Sequence, residues 1–207
     1  MRSLSQGKLV FLVALFLVIF DNMSFFDNVT KIYPTIGNNL YFVISLAVVL
    51  LLFTNILLTI VSSKYTTKLF LIVIVLISAF TNYFMNTYNI VIDDSMIQNS
   101  LQTNFDESLD LFSLQLLTYA FFLGVVPAYF IYKVPLEYKS FRQELYSKLK
   151  SIILSLVIIV ILLLSFSKYY TSFFREHKTL RYHTNPTYWI YSVGKYMNIK
   201  FNTNLFG

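Results

Sequence analysis

There is no cysteine anywhere in the 207 residues, so disulfides, thiolate nucleophiles and cysteine-ligated metals are excluded for this chain. That absence carries no information about compartment. Charge is scarce as well, at 13% of residues, which is too little polar surface for an ordinary soluble globule. Only five glycines and four prolines occur, and none belongs to a glycine-rich phosphate loop, a nucleophile elbow or an internal repeat. Glu176, His177 and His183 are too few and too irregularly spaced to make a metal site. The net charge of +6 could suggest nucleic acid, but the sixteen basic residues are scattered between apolar spans, with no run to follow a phosphate backbone.

What the chain does have is hydrocarbon. Hydrophobic residues make up 57% of it and the mean hydropathy is +0.64, the composition of an integral membrane protein. Arg2 and Lys8 precede the apolar run Leu9 to Phe20, which resembles a signal-peptide core but has no small-x-small cleavage site after it. It is read as a retained span. Twelve apolar residues are short against the roughly 20 needed to cross a bilayer, so this helix is expected to continue through Asp21 and Asn22 toward Phe26. Asp21 would then sit hydrated at the outer interface.

The fold class expected is an all-α polytopic membrane protein with five transmembrane helices plus periplasmic interfacial helices. The spans fall at about 8–26, 40–61, 69–88, 111–132 and 149–168, within a membrane domain of residues 1–170. Thr54 and Asn55 read as packing contacts between helices, Tyr83, Phe84 and Tyr88 as an interfacial aromatic belt, and Gly124 with Pro127 as a kink. Lys133 to Lys150 reads as a basic linker, and residues 171–207 as a periplasmic juxtamembrane bridging segment. The N-terminal residues, the loop with Lys64 and Lys68, and that linker together carry nine basic residues against Glu137 and Glu144, which predicts that all three are cytoplasmic. The C-terminus then emerges in the periplasm.

The most polar stretch is Asp93 to Asp110, which holds five of the ten acidic residues and no Lys or Arg. Ser95 followed by Gln98 predicts a capping box at the start of a helix, and Asn104 followed by Glu107 a second one. At helical spacing Asn99, Thr103 and Glu107 share a face within an arc of about 80°, with Ile97, Leu101 and Phe105 nearly opposite. Two readings stand side by side: a surface helix that handles a lipid substrate, and a solvated loop between two spans.

Several stretches in order resemble the membrane domain of the phosphoethanolamine–lipid A transferases, which include the mobile colistin-resistance enzymes. They are Phe25 to Pro34, Thr81 to Tyr88, Met96 to Thr103 with Glu107, Ser172 to Pro186, and Ile190 to Lys195. The resemblance implies a bacterial inner-membrane domain that leads into a periplasmic catalytic domain of the alkaline phosphatase and sulfatase fold, carrying zinc and a threonine nucleophile. It implies phosphatidylethanolamine as donor, lipid A as acceptor, and resistance to polymyxin and other cationic peptides. It assigns donor-headgroup contacts to Asn99, Thr103 and Glu107. The chain ends at Gly207, before the expected position of the nucleophile and zinc ligands, so no catalytic residue, cofactor or metal is expected within it. Asp93 and Asp94 have no histidine partners with which to replace them. By this reading the catalytic domain normally belongs to the same polypeptide, and the isolated chain turns nothing over. The competing reading is a stand-alone membrane protein that binds lipid without doing chemistry.

Overall fold

A computed structural model describes residues 3–102, 112–137 and 140–206, with side chains to residue 202. It is a helical bundle. Helix α1, Gln6–Phe20, stops at Asp21, and α2, Met23–Ile32, departs at 55°, so the first span is broken where a continuous helix was expected. The turn through Pro34 ends at Gly37, whose φ of 60° suits glycine, and opens α3, Asn38–Val61. Helix α4, Thr67–Tyr88, ends on Asn89 in the left-handed region, a residue that tolerates it. A short surface helix α5, Asp94–Gln102, follows.

Helix α6, Leu114–Lys133, is capped by Ser113, whose Oγ accepts the Leu116 N–H at 3.0 Å. The expected kink takes the form of a π-helical stretch, Ala120–Val125, in which the Val126 N–H bonds to the Phe121 carbonyl. The wider turn comes just before Pro127, which has no N–H to give. Gly124 lies against Leu76 and Ala79 of α4, where a side chain would crowd the two helices. Helix α7, Phe141–Ser165, begins well inside the stretch read as a basic linker. In its first turns Glu144 and Lys148 pair at 3.0 Å on one face, and Lys148 also donates to the Ser62 carbonyl just after α3.

Four helices, α3, α4, α6 and α7, are long and apolar enough to cross a membrane, and the bent pair α1–α2 supplies a fifth span. Small and polar residues fill the contacts between them, since lipid removes the hydrophobic drive for helices to associate. Ala14, Ser78 and Ala79 are fully buried, and the Asn55 amide reaches Ser151 Oγ of α7 at 3.4 Å. One end of the bundle gathers the N-terminus, the α3–α4 loop and the α6–α7 loop. A parallel strand pair joins β1, Leu4–Ser5, to β2, Leu136–Glu137, while Gln6 donates to Thr67 and Lys68 to the Tyr132 carbonyl.

After α7 the chain turns at Phe166 into α8, Ser167–Glu176. Its aromatic side chains are partly internal. Tyr170 and Phe173 are buried against Phe25 and Phe42, with the Tyr170 hydroxyl 3.1 Å from Ser45 Oγ. A 3-10 turn, Lys178–His183, and a cis Asn185–Pro186 bond lead to α9, Thr187–Phe206.

Candidate functional site

Helix α5 starts two residues earlier than the sequence motif implies. Asp93 Oδ1 accepts the Met96 N–H at 2.8 Å and the Ser95 hydroxyl at 2.7 Å, so Asp93 is the cap and Ser95 lies inside the helix. A carboxylate in that place satisfies an orphan amide and also meets the positive end of the helix dipole, which a serine cannot do. Of the three residues placed on one face by spacing, Asn99 is exposed on the last turns of α5. Thr103 and Glu107 lie outside the described residues, as does the second capping box at Asn104. On the opposite side Ile97 is half-buried and Leu101 is exposed.

The seat of α5 is α9, which runs alongside it. Asp94 Oδ1 and Lys195 Nζ pair at 2.8 Å across the two helices. The hydrogen bond from Lys195 holds the Asp94 carboxyl below its usual range, and the same bond raises Lys195. Asn99 is therefore carried on a helix anchored to the segment that sequence alone reads as a bridge.

That segment is itself anchored deep in the bundle. Asn185 is fully buried and bonds reciprocally with Asn22: its N–H donates to Asn22 Oδ1 at 2.8 Å, and its carbonyl accepts from Asn22 Nδ2 at 2.6 Å. Its side-chain amide donates to the Ser78 carbonyl of α4 at 2.9 Å, and its Oδ1 accepts the Trp189 indole N–H at 3.0 Å. Beside them Asn82 donates to the Phe20 carbonyl and to Asp21 Oδ1, both at 3.1 Å, and accepts from Asn86. These bonds satisfy carbonyls freed where the first span breaks. Asp21 is only 2% exposed, so the hydrated position expected for it is corrected: the broken helix turns it inward onto α4.

The network of Asn22, Asn82 and Asn185 went unread because its members are up to 163 residues apart. The available signal was their polarity next to apolar runs, where an unpaired amide is costly. Asn22 and Asn185 are bonded to each other and Asn82 to Asp21 and Asn86, and these amides hold no nucleophile with a base. Among the described residues no three of His, Cys, Asp or Glu converge. The arrangement can hold and orient, with an exposed amide on α5 at a membrane-facing bundle.

A family model described as phosphoethanolamine transferase EptA/EptB matches residues 50–201. The phosphatidylethanolamine transferase Mcr-1 of Escherichia coli is 40% identical over 97% of this chain and 37% of its own length. The phosphoethanolamine transferase EptA of Salmonella typhimurium is 30% identical over 86% of this chain and 33% of its own. Among solved structures, the integral membrane protein lipooligosaccharide phosphoethanolamine transferase A (EptA) from Neisseria meningitidis superposes with a TM-score of 0.89 at 26% identity, covering 96% of this chain and 38% of that one. The chain thus spans little more than a third of the length of these relatives.

Proposed function

The chain belongs to the phosphoethanolamine transferase EptA/EptB family, and on that premise we propose that it is the membrane domain of an enzyme that moves phosphoethanolamine from phosphatidylethanolamine to lipid A. What carries the proposal is that the family match and the structural likeness both fall on the membrane-spanning helices of this chain. In this reading the domain sits in the bacterial inner membrane with its N-terminus in the cytoplasm and its C-terminus in the periplasm. It anchors the enzyme and helps bind the lipid donor. A catalytic domain in the same polypeptide supplies the nucleophile and zinc, and the product masks negative charge on lipid A, giving resistance to polymyxin.

The donor is assigned to Asn99, Thr103 and Glu107. A carboxylate accepts hydrogen bonds from the ethanolamine ammonium, while an amide and a hydroxyl donate to phosphate oxygens. Losing one charge-assisted hydrogen bond costs about 1.5–3 kcal/mol, or roughly a tenfold to hundredfold loss in transfer. The test grafts this domain onto a matching catalytic domain and measures lipid A modification in Glu107→Ala and Glu107→Gln, with membrane protein level in parallel. Both variants should insert normally and lose activity by that factor. Parent-like modification would remove Glu107 from the site, and a loss that only tracks protein level would make its role structural.

A further inference from the structure

A second surface, apart from the exposed face of α5, has the form of a lipid site. Between α3 and the segment from Arg181 to Lys195 lies a cleft of about 780 Å³. Its polar wall carries Arg181, Lys195 and the ring series Tyr182, Tyr188 and Tyr191, in which neighbouring centroids lie 4.9 and 6.1 Å apart. Leu57 and Ile190 belong both to this cleft and to an adjoining groove of about 350 Å³. The groove is wholly apolar, running between α3 and α4 past Ile60, Val73, Ile77 and Trp189. A cationic, hydroxyl-lined end thus continues into a hydrocarbon channel on the flank of two spans, where lipid is the solvent.

Charge decides which lipid fits. Lys195 already has a carboxylate in Asp94. Among the described residues Arg181 has none: its Nε donates only a long 3.5 Å bond to the Lys178 carbonyl, and its guanidinium lies 5.9 Å from the Phe174 ring. No described residue lining the cleft is acidic. A guanidinium beside phenol hydroxyls is well matched to a phosphodiester, which it can engage with two parallel hydrogen bonds. A zwitterionic headgroup would bring its ammonium against the Arg181 guanidinium, while the nearby Asp94 carboxylate is already taken by Lys195. We propose that cleft and groove together bind one glycerophospholipid of net negative headgroup, its phosphate on Arg181 and one acyl chain in the groove beside Trp189. This lipid differs in charge from the donor assigned to α5, so the two proposals stand or fall separately.

The chain has a single tryptophan and it lines the groove, which supplies the probe. The 207-residue protein is reconstituted in phosphatidylcholine vesicles containing a small fraction of lipid brominated on its acyl chains, and quenching of Trp189 is followed. Brominated phosphatidylglycerol should compete about tenfold better than brominated phosphatidylcholine, because only the choline lipid sets a second cation against Arg181. Arg181→Gln should bring it close to phosphatidylcholine, while Lys178→Gln, whose side chain lies outside the lining, should keep the preference. Equal quenching by the brominated glycerol, ethanolamine and choline lipids on the unaltered chain overturns the proposal. A preference for the ethanolamine lipid overturns it too, and so does a glycerol-lipid preference that survives Arg181→Gln. The comparison of the three lipids needs no variant, so a folding defect in Arg181→Gln leaves the test intact.

Discussion

Asn185 makes four hydrogen bonds while exposing no surface, two with Asn22 in the first span, one to Ser78 of α4 and one from Trp189 of α9. Replacing it with alanine keeps the backbone pair with Asn22 but strands the Trp189 indole N–H, a loss of about 1–3 kcal/mol for a buried unpaired donor. Asn185→Ala should therefore lower the unfolding midpoint in mixed micelles and shift Trp189 emission to the red. Unchanged emission would mean that another acceptor replaces Oδ1. At Asn22 the isosteric change is the harsher one, because Asn22→Asp loses the donor to the Leu17 and Asn185 carbonyls and sets a negative charge against them and beside Asp21. Little of this was legible in the sequence. The polarity of Asp21 and Asn22 was plain, but hydration and burial look alike until the partner is known, and Asn185 lies at the far end of the chain. The cap was closer to legible: Asp93, Asp94 and Ser95 are all good capping residues, and only the register of α5 on α9 chooses among them.

Helices α4 and α6 meet where Gly124 faces Leu76 and Ala79, and the two shortest contacts a β-carbon would make there are 3.3 and 3.4 Å. Gly124→Ala presses on a flexible leucine end and gains helix propensity, so it should change stability by less than about 1 kcal/mol. Gly124→Val has no such room, and overpacking of this kind costs about 1–3 kcal/mol. Thermal unfolding of the two variants in detergent separates them, and equal midpoints would show that α6 is free to move off α4. The sequence marked an irregularity near Gly124 and Pro127, where the helix widens into a π turn, a form that depends on the α4 surface and that no local pattern reports. The pairing of α5 with α9 was not legible at all, and its pH response follows from one ion pair. Asp94 is held below 3.8, so its contribution is complete above that value and lost as pH falls through the lower folded value. Lys195 is raised above 10.5, so its contribution is complete below that and lost as pH rises further. Spin labels at Gln98→Cys and Asn198→Cys should report a constant separation across neutral pH, broadening below about 4 and above about 10.5. A change centred near pH 6 to 7 would implicate a histidine instead.

At the scale of the whole chain the five spans were readable, because runs of 15 to 25 residues leave few alternatives in a bilayer. What was not readable is that the residues after α7 return into the bundle, since α8 buries Tyr170 and Phe173 and α9 buries Trp189 through contacts set by distant helices. The candidate site was legible only as a spacing of Asn99, Thr103 and Glu107 and through the family resemblance. Orientation is a separate question, and here two observations bear on each other. The nine basic residues of the N-terminus, the α3–α4 loop and the α6–α7 loop are dispersed in sequence. In the fold all three segments meet at one end, through the β1–β2 pair, the Gln6–Thr67 bond and the Lys68–Tyr132 bond. One end of the bundle therefore concentrates positive charge, and α5 follows the opposite end of α4 with no Lys or Arg between Asn89 and Asp110. Positive segments resist translocation, so the basic end should lie in the cytoplasm and α5 in the periplasm. The chain has no cysteine, which allows single reporters: Ser100→Cys on α5 and Ser140→Cys before α7, treated with a membrane-impermeant thiol reagent on intact cells. Ser100→Cys should label and Ser140→Cys should label only after lysis. The reverse pattern would invert the protein in the membrane and count against the proposal that Asn99, Thr103 and Glu107 face a periplasmic catalytic domain.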